Sequence, residues 1–255
     1  MSFAETGWAK FAYDGATAAW AAHAREVAIP LTQNPQYFDD WLRCGGTWFV
    51  GVNLLPNDGQ GQLPDGPVLA GPALDFLRGQ NLLSPLDRAQ ISAIYPGYPQ
   101  PSLAESAAAF RFRRDRDAAH VDGLLAIGPD KRRHLHEPHG FVLGLPLTDA
   151  TASPMVVWEG SHLIMRAAFR ERLDGVPPEH WAAEDLTDTY QAARKQCFKL
   201  CKRIKIKALP GEAYVIDRLT LHGVAPWEDG ETAPPEGRII AYFRPELDDI
   251  AAWLA

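Results

Sequence analysis

The chain contains one His-x-Asp sequence, and its two polar residues have the spacing of metal ligands. His120 and Asp122 are separated by Val121. In an extended strand, residues two positions apart project to the same face, so both side chains could reach one metal ion. His222 is a third candidate ligand, because it ends a β-like run and precedes Gly223 at a strand–turn junction. Two imidazoles and one carboxylate on one face of an ion form a facial triad, the donor set of non-haem Fe(II) oxygenases.

An arginine opens the last strand-like run of the chain. Arg238 lies on the same face of this otherwise apolar run as Ile240 and Tyr242. A charged group in such a run needs an oppositely charged partner, and the planar guanidinium group suits a carboxylate. The pattern therefore predicts a carboxylate anchor for a cosubstrate at Arg238. Arg244 lies on the same face and is the alternative anchor, although its place before Pro245 is typical of a solvated arginine at a strand end.

The elements that must position these residues are mainly short strands. The second half of the chain contains β-like runs separated by turn residues, at 106–115, 140–147, 153–160, 204–211, 212–223 and 237–245. Short strands at these intervals favour a sandwich or barrel over a parallel sheet. We expect a single, mainly β domain over 1–255, with a helical N-terminal part at about 1–105 and flanking helices. The core is expected at about 106–247, with a helical insert at about 185–203.

The N-terminal part shows three helical patterns and one strand pattern. An alanine-rich stretch with apolar residues at helical spacing predicts a helix over 16–28. The aromatic and β-branched run at 47–55 predicts a strand that ends in a turn. Short helices are expected over 72–80 and 85–90, the second with Ser84 as its N-cap.

The composition excludes several classes of function. There are 25 Lys and Arg residues against 32 Asp and Glu residues, a net charge of −7, so a general affinity for nucleic acid or anionic membranes is not expected. Three cysteines are too few for a disulfide framework. No run reaches the roughly 18 apolar residues of a membrane helix, and no secretory signal is visible. We therefore expect a soluble, cytoplasmic protein that acts on a small molecule.

Four segments, taken in order, resemble the phytanoyl-CoA dioxygenase-like branch of the Fe(II)/2-oxoglutarate oxygenases. They are AHVDGL, GFVLGLPLTDATASPMVVWEGSHL, ALPGEAYVIDRLTLHGV and GRIIAYFRP. The resemblance implies a double-stranded β-helix (jelly-roll) core, with Fe(II) on His120, Asp122 and His222. It also implies that Arg238 holds 2-oxoglutarate. Enzymes of this family couple the oxidative decarboxylation of 2-oxoglutarate, which releases succinate and CO2, to oxidation of a C–H bond, most often as hydroxylation.

One departure from the family pattern affects the cosubstrate site. Val224 follows His-Gly at a position where the family often has serine. A hydroxyl contact to the cosubstrate is therefore either missing or supplied by another residue. Asp122 is present, whereas halogenase relatives replace this carboxylate with a small residue, and its presence favours oxygen transfer.

The segment 131–139, KRRHLHEPH, has the most unusual local composition in the chain. One interpretation is a solvated loop. The other is a loop over the mouth of the active site, in which Arg132 or Arg133 contacts a carboxylate or phosphate of the primary substrate. The solvated loop is the default interpretation. The second is a hypothesis that rests on the repulsion between consecutive cations, which an anion nearby would relieve.

Two alternative functions remain open at this point. The first is a cupin-type metal enzyme that uses His134, His136 and Glu137. Its spacing is poor, because Glu137 directly follows His136 and His222 lies eleven residues beyond Gly211. The second is a non-catalytic jelly-roll homologue that keeps the fold without the chemistry.

Overall fold

Two antiparallel sheets face each other across the centre of the protein, a computed structural model of which describes residues 2–102 and 105–255. The strands of the described residues are β1 (Trp8–Phe11), β2 (Leu42–Arg43), β3 (Trp48–Gly51), β4 (Gln90–Ile94), β5 (Leu124–Ile127), β6 (Arg132–Leu135), β7 (Phe141–Pro146), β8 (Met155–Glu159), β9 (Lys202–Ile206), β10 (Ala213–Asp217), β11 (His222–Val224) and β12 (Arg238–Phe243). The larger sheet has the order β1-β10-β7-β12-β4-β3-β2, and the smaller has the order β11-β8-β9. Strands β5 and β6 form a separate hairpin.

Helices cover the outer faces of both sheets. They are α1 (Phe3–Thr6), α2 (Gly15–Thr32), α3 (Phe38–Trp41), α4 (Pro72–Gly79), α5 (Ala107–Asp115), α6 (Ser161–Arg172) and α7 (Thr187–Leu200). Short 3-10 helices occur at Pro35–Tyr37, Pro178–Ala183 and Ile250–Leu254. The predicted mainly β fold with flanking helices is confirmed, and the two facing sheets form the double-stranded β-helix core.

Strand β12 shows how the sequence alternation fixes the two faces of the larger sheet. Ile239 and Phe243 belong to the core on the helical side, whereas Ile240 and Tyr242 belong to the core between the sheets. Both faces are covered, so every residue of the strand is buried. Because alternate residues share a face, Arg238 lies on the side that faces the smaller sheet.

Helix α2 anchors the helical layer on the larger sheet. Asp14 caps the helix by accepting a hydrogen bond of 2.9 Å from the Thr17 N–H. The fully buried Trp20 packs against Phe243, with ring centroids 5.8 Å apart. Its indole N–H donates to the carbonyl of Gly61 at 2.6 Å, so this large side chain leaves no unpaired polar group in the core.

The outer face of the smaller sheet packs against α6 and α7. Val156 and Trp158 of β8 share one buried cluster with Met165 of α6 and Tyr190 of α7. The layers therefore run helix, sheet, sheet, helix. The space between the two sheets is shielded on both sides, which allows polar side chains to be held there away from bulk water.

Two predicted elements are wrong. The segment 106–115 forms helix α5 and not a strand, because Ser106 accepts a hydrogen bond from the Ala109 N–H at 3.2 Å and three alanines follow the cap. The predicted helix over 85–90 is absent, because the next residues from Gln90 onward extend and pair with β12. Helix α7 lies within the segment 185–203, where a helical insert was expected.

The N-terminal part is less helical than expected. It contains the predicted helices α2 and α4, but it also contributes β1 to β4 to the larger sheet. Strand β4 lies between β12 and β3, so the core is not confined to 106–247. That the chain forms a single domain stays a prediction. Among the described residues, no helix combines the length and the apolar character needed to cross a membrane.

Candidate metal centre

The two predicted histidine ligands are joined through their backbones. The His120 N–H donates to the carbonyl of His222 at 2.8 Å, and the His222 N–H donates back at 2.9 Å. This isolated antiparallel bridge places the segment around His120 beside β11, as a further edge of the smaller sheet. Residues 102 positions apart in the sequence are thus held in register by two hydrogen bonds.

The bridge requires a glycine at position 223. A Cβ atom at Gly223 would lie 2.1 Å from the backbone oxygen of Asp117. Asp117 is held in place because its carboxylate accepts two hydrogen bonds from Arg203, at 2.8 and 2.6 Å. Its carbonyl also accepts a bond from the Val224 N–H at 3.0 Å. The segment that leads to His120 therefore lies directly against β11.

The three predicted ligands converge. Ligand atoms of His120, Asp122 and His222 all lie within 4.8 Å of one another, and no other group of three such residues does so in 2–102 and 105–255. The Nε2 of His120 is 3.2 Å from Asp122 Oδ1, and that of His222 is 3.6 Å from Oδ2. Ala119 and Val121 point the other way, into the helical cluster. His120 and Asp122 thus point to the same side, although Asp122 lies in a turn and not in an extended strand.

Both imidazoles are oriented for metal binding through the same ring nitrogen. The Nδ1 of His120 lies 3.0 Å from the carbonyl of Ala118, and that of His222 lies 2.8 Å from the carbonyl of Thr220. A carbonyl oxygen only accepts, so each Nδ1 carries the hydrogen. The lone pair of each neutral ring is then on Nε2, which faces Asp122. Carbonyl acceptors of this kind fix the ring orientation of metal-binding histidines.

Asp122 is charged although it is buried. Burial alone would raise the pKa of its carboxyl group, but Arg244 and His222 outweigh burial and hold this pKa well below its usual range. The Nη1 of Arg244 lies 3.5 Å from Asp122 Oδ2. Burial would lower the pKa of His222, yet Asp122 raises it overall. The residues thus fit a divalent cation, which would bind the carboxylate and release any proton on His222.

A cavity of about 210 Å³ lies between the two sheets and reaches the three ligands. Apolar side chains form much of its wall, including Val142, Met155 and Val224. The phenol groups of Tyr98 and Tyr242 also line it. We refer to this space as the inner cavity. It has the size and partly apolar character of a site for one small molecule.

Arg238 does not itself line the inner cavity, but it is bonded to Tyr242, which does. Arg238 is 2% exposed, and its Nη2 donates to the Tyr242 hydroxyl at 3.4 Å. Tyr214 donates to the same hydroxyl oxygen at 2.9 Å. Within the described residues, Nη1 of Arg238 has no hydrogen-bond partner and no carboxylate lies within 4.0 Å of the guanidinium group. A buried cation in this state is prepared for an anionic ligand.

A second cavity, of about 430 Å³, reaches His120 and Asp122 from another direction. We call it the outer cavity. Phe112 and Tyr190 form part of its wall. Three arginines also line it, namely Arg113, Arg133 and Arg244. The inner and outer cavities meet at His120, Asp122 and Arg244, whereas His222 lines only the inner cavity.

The two arginines of the predicted substrate loop have different surroundings. The Nε of Arg132 lies 2.5 Å from Asp185 Oδ2, and its Nη2 lies 3.4 Å from Asp188 Oδ2. The charge of this guanidinium group is therefore already compensated. Arg133 donates from Nη1 to the carbonyl of Leu124 at 2.8 Å and lines the outer cavity. The segment 131–139 is not a loop throughout, because Arg132–Leu135 form strand β6 and pair with β5.

The structure does not support the cupin-type alternative. The rings of His134 and His136 are 6.3 Å apart. These histidines and Glu137 form no metal-ligand group within the described part of the chain.

Sequence reasoning missed several residues of this site. The contact between Arg244 and Asp122 was not predicted, because it joins a strand end to a distant metal segment. Neither Tyr98 nor Asp117 was singled out, since a lone tyrosine or aspartate carries no motif. Asp117 has a left-handed backbone with φ of 54°, a conformation that aspartate adopts more readily than most residues.

No family model matches the chain, and no curated protein matches it either. Solved structures give matches over nearly the whole chain. The non-heme alpha ketoglutarate dependent carbocyclase SnoK from nogalamycin biosynthesis is 14% identical, with 95% of this chain and 81% of that chain covered and a TM-score of 0.47. AviO1 from Streptomyces viridochromogenes Tue57 is 15% identical, with 97% and 93% covered and a TM-score of 0.46. EctD from S. alaskensis with bound Fe is 12% identical, with 95% and 74% covered and a TM-score of 0.41. These values are too low to transfer the function of those proteins to this chain.

The close approach at Gly223 generates a prediction about metal binding. Gly223→Ala should push Asp117 and the His120 segment away from β11, because backbone atoms cannot yield as a flexible side chain does. Overpacking of this kind costs about 1–3 kcal/mol. The affinity of the variant for Zn(II) should therefore fall, by about tenfold for each 1.4 kcal/mol lost from binding. Isothermal titration calorimetry with Zn(II) measures the affinity.

Gly79→Ala is the matched control, since a Cβ atom at Gly79 would meet nothing within 4 Å. Circular dichroism verifies that both variants are folded. A Gly223→Ala variant that binds Zn(II) as tightly as the wild type would contradict the role given to the backbone bridge.

Proposed function

We propose that the protein is an Fe(II)- and 2-oxoglutarate-dependent dioxygenase that hydroxylates a small-molecule substrate and releases succinate and CO2. The observation that carries this proposal is the convergence of His120, Asp122 and His222 beside a partly apolar cavity. Both imidazoles present Nε2, and the carboxylate is charged. Two neutral imidazoles and one carboxylate, with further positions left open, are the donor set of non-haem Fe(II) oxygenases.

Each residue of the triad has a defined role in this proposal. His120 and His222 would each give an Nε2 lone pair to the metal, and Asp122 would give a carboxylate oxygen. When bound, Fe(II) would supply the chemistry that activates dioxygen. The backbone bridge holds the two imidazoles, with ring centroids 4.7 Å apart, before the metal arrives.

Arg238 would anchor the cosubstrate in the inner cavity. 2-Oxoglutarate carries a carboxylate at each end, and the end remote from the metal needs a cationic partner. Arg238 offers a buried guanidinium group with an unpaired Nη1 within the described residues. Arg244 fits this role less well, because its Nη1 already faces Asp122.

The primary substrate would enter the outer cavity, and we propose that it is anionic. The apolar and aromatic wall suits a small organic molecule. Among the arginines of this cavity, Arg113 pairs with Glu105 and Arg244 faces Asp122. In the described part of the chain, Arg133 has no carboxylate within 4.0 Å, so it is the residue best placed to receive an anionic group of the substrate.

The cellular compartment belongs to the same proposal. Cys44, Cys197 and Cys201 are all free thiols. Unpaired cysteines are typical of a reducing compartment, which supports a cytoplasmic enzyme.

The metal assignment predicts a loss of turnover in Asp122→Ala. With Fe(II), ascorbate, oxygen and 2-oxoglutarate supplied, the wild type should form succinate even without a primary substrate, in an uncoupled reaction. Asp122→Ala should form none, because the carboxylate both binds the metal and balances its charge. Asp115→Ala, which changes an exposed aspartate, is the control. Wild-type succinate formation in a folded Asp122→Ala variant would refute the triad assignment.

The cosubstrate anchor predicts a ranking of two arginine variants. Arg238→Lys keeps the positive charge but loses the planar fork, so the KM for 2-oxoglutarate should rise. A lost charged hydrogen bond is worth about 1.5–3 kcal/mol, or about 10- to 150-fold. Arg244→Lys should raise this KM much less. The opposite ranking would assign the anchor to Arg244.

The anionic substrate predicts different effects for two neighbouring arginines. Pairs of small acids and their neutral methyl esters are tested for stimulation of 2-oxoglutarate turnover, and the acids should be the ones that stimulate it. Arg133→Ala should raise the concentration of acid required, more so at low salt if the contact is exposed. Arg132→Ala is the control, because Asp185 and Asp188 already compensate this arginine. Equal stimulation by acids and esters would contradict an anionic substrate.

A further inference from the structure

The inner cavity contains one hydroxyl group with nothing to bind. Three residues with hydroxyl groups line it: Ser92, Tyr98 and Tyr242. Ser92 accepts a hydrogen bond from the Trp48 indole at 3.0 Å, and Tyr242 is bonded to Tyr214 at 2.9 Å. The Tyr98 hydroxyl has no hydrogen-bond partner within the described residues, although the residue is only 2% exposed. A buried hydroxyl left unpaired costs about 1–3 kcal/mol, so this group calls for a ligand.

The charges around Tyr98 indicate what that ligand must be. A tyrosine phenol keeps its hydrogen at neutral pH. Burial and the nearby Cys44 raise the pKa of Tyr98 further, whereas the guanidinium groups of Arg113 and, less strongly, Arg238 act against this rise. A guanidinium group only donates hydrogen bonds. Neither arginine can therefore accept the hydrogen of the Tyr98 hydroxyl. The missing partner has to be an acceptor, and beside two cations an anion is favoured.

The position of Tyr98 matches a gap in the cosubstrate site. Its ring packs in one buried cluster with Ile94 and Val224. Val224 comes directly after His222 and Gly223, at the position where the resemblance to the dioxygenase family led us to expect a serine hydroxyl. Tyr98, which carries a hydroxyl group, therefore packs in the same cluster as Val224, whose side chain has none.

Contacts of both its backbone and its ring fix the position of Tyr98. Its backbone carbonyl accepts a hydrogen bond from the Trp227 N–H at 2.7 Å, which ties it to the segment after β11. Its ring makes an edge contact with Trp48, with centroids 5.9 Å apart. Ile94, in the same cluster, is the residue paired with Arg238 across β4 and β12. Tyr98 and Arg238, the proposed anchor, are therefore both neighbours of Ile94.

We infer that the Tyr98 hydroxyl donates a hydrogen bond to the cosubstrate carboxylate remote from the metal, sharing this carboxylate with Arg238. This inference rests on the proposed function, because it names a further residue of the 2-oxoglutarate site. Tyr98 takes the place of the hydroxyl that Val224 lacks. The preference for a 2-oxoacid with a second carboxylate then depends on two donors from different elements, one on β12 and one in the turn after β4.

Two probes separate this role from a structural one. 2-Oxoglutarate carries the remote carboxylate, whereas 2-oxopentanoate has the same chain length and lacks it. Anaerobic calorimetric titration of the Fe(II)-loaded protein measures both affinities without any turnover. Tyr98→Phe removes the hydroxyl and keeps the ring. It should weaken 2-oxoglutarate binding about 10- to 150-fold, the value of a hydrogen bond to a charged group, and leave 2-oxopentanoate binding unchanged.

Tyr95→Phe is the matched control, since Tyr95 lies in the same turn and does not line the inner cavity. It should bind both probes as the wild type does. Equal 2-oxoglutarate affinity in the wild type and Tyr98→Phe would overturn the inference and leave the proposed function standing. An equal loss for both probes would also overturn it, because such a loss reports a distorted cavity. If the wild type binds no 2-oxoglutarate, the proposed function itself falls.

Discussion

The backbone bridge between His120 and His222 is the interaction on which the rest of the site depends. Two hydrogen bonds, of 2.8 and 2.9 Å, hold the metal segment beside β11. They set the separation of the two imidazoles, and Asp122, in the turn that follows His120, lies on the same side. Without them, ligands far apart in the sequence would have to find one another at an entropic cost for each ordered residue.

The helical layers outside the two sheets affect the electrostatics of this site. Helices on the outside of both sheets leave the inner cavity between two covered faces, where Asp122 and His222 are buried while the His120 side chain stays 48% exposed. Electrostatic interactions are stronger in such a place, and unpaired polar groups are more costly. Asp122 is balanced by Arg244. Arg238 and Tyr98 keep donors without acceptors among the described residues. The fold thus carries a local cost that an anionic ligand would relieve.

The parts of the site that the sequence could predict are those with a local signal. His120 and Asp122 are two residues apart, and this spacing predicts that they point to the same side. Arg238 stood out because it was charged in an apolar run. The contact of Arg244 with Asp122 had no such signal, because a strand end meets a distant segment only once the sheet has formed. Tyr98 is an ordinary tyrosine until its hydroxyl is found buried without a partner.

The secondary-structure elements that could be predicted were likewise those with a local signal in the sequence. The alternating runs of β7, β8, β10 and β12 were predicted well, since both faces of these strands are buried and their apolar content is high. Helix α5 was mistaken for a strand, because its aromatic and basic residues concealed an alanine-rich start with a serine cap. Strands β1 and β4 were not predicted, since each pairs with a strand more than a hundred residues away.

The central claim is that iron and 2-oxoglutarate bind together at His120, Asp122 and His222. Anaerobic absorption spectroscopy tests it most directly. A 2-oxoacid that chelates Fe(II) gives a visible charge-transfer band, which neither component gives alone. This band should develop when 2-oxoglutarate is added to the Fe(II)-loaded protein, and it should be absent with Zn(II). A protein that binds Fe(II) and develops no band on adding 2-oxoglutarate would contradict the central claim.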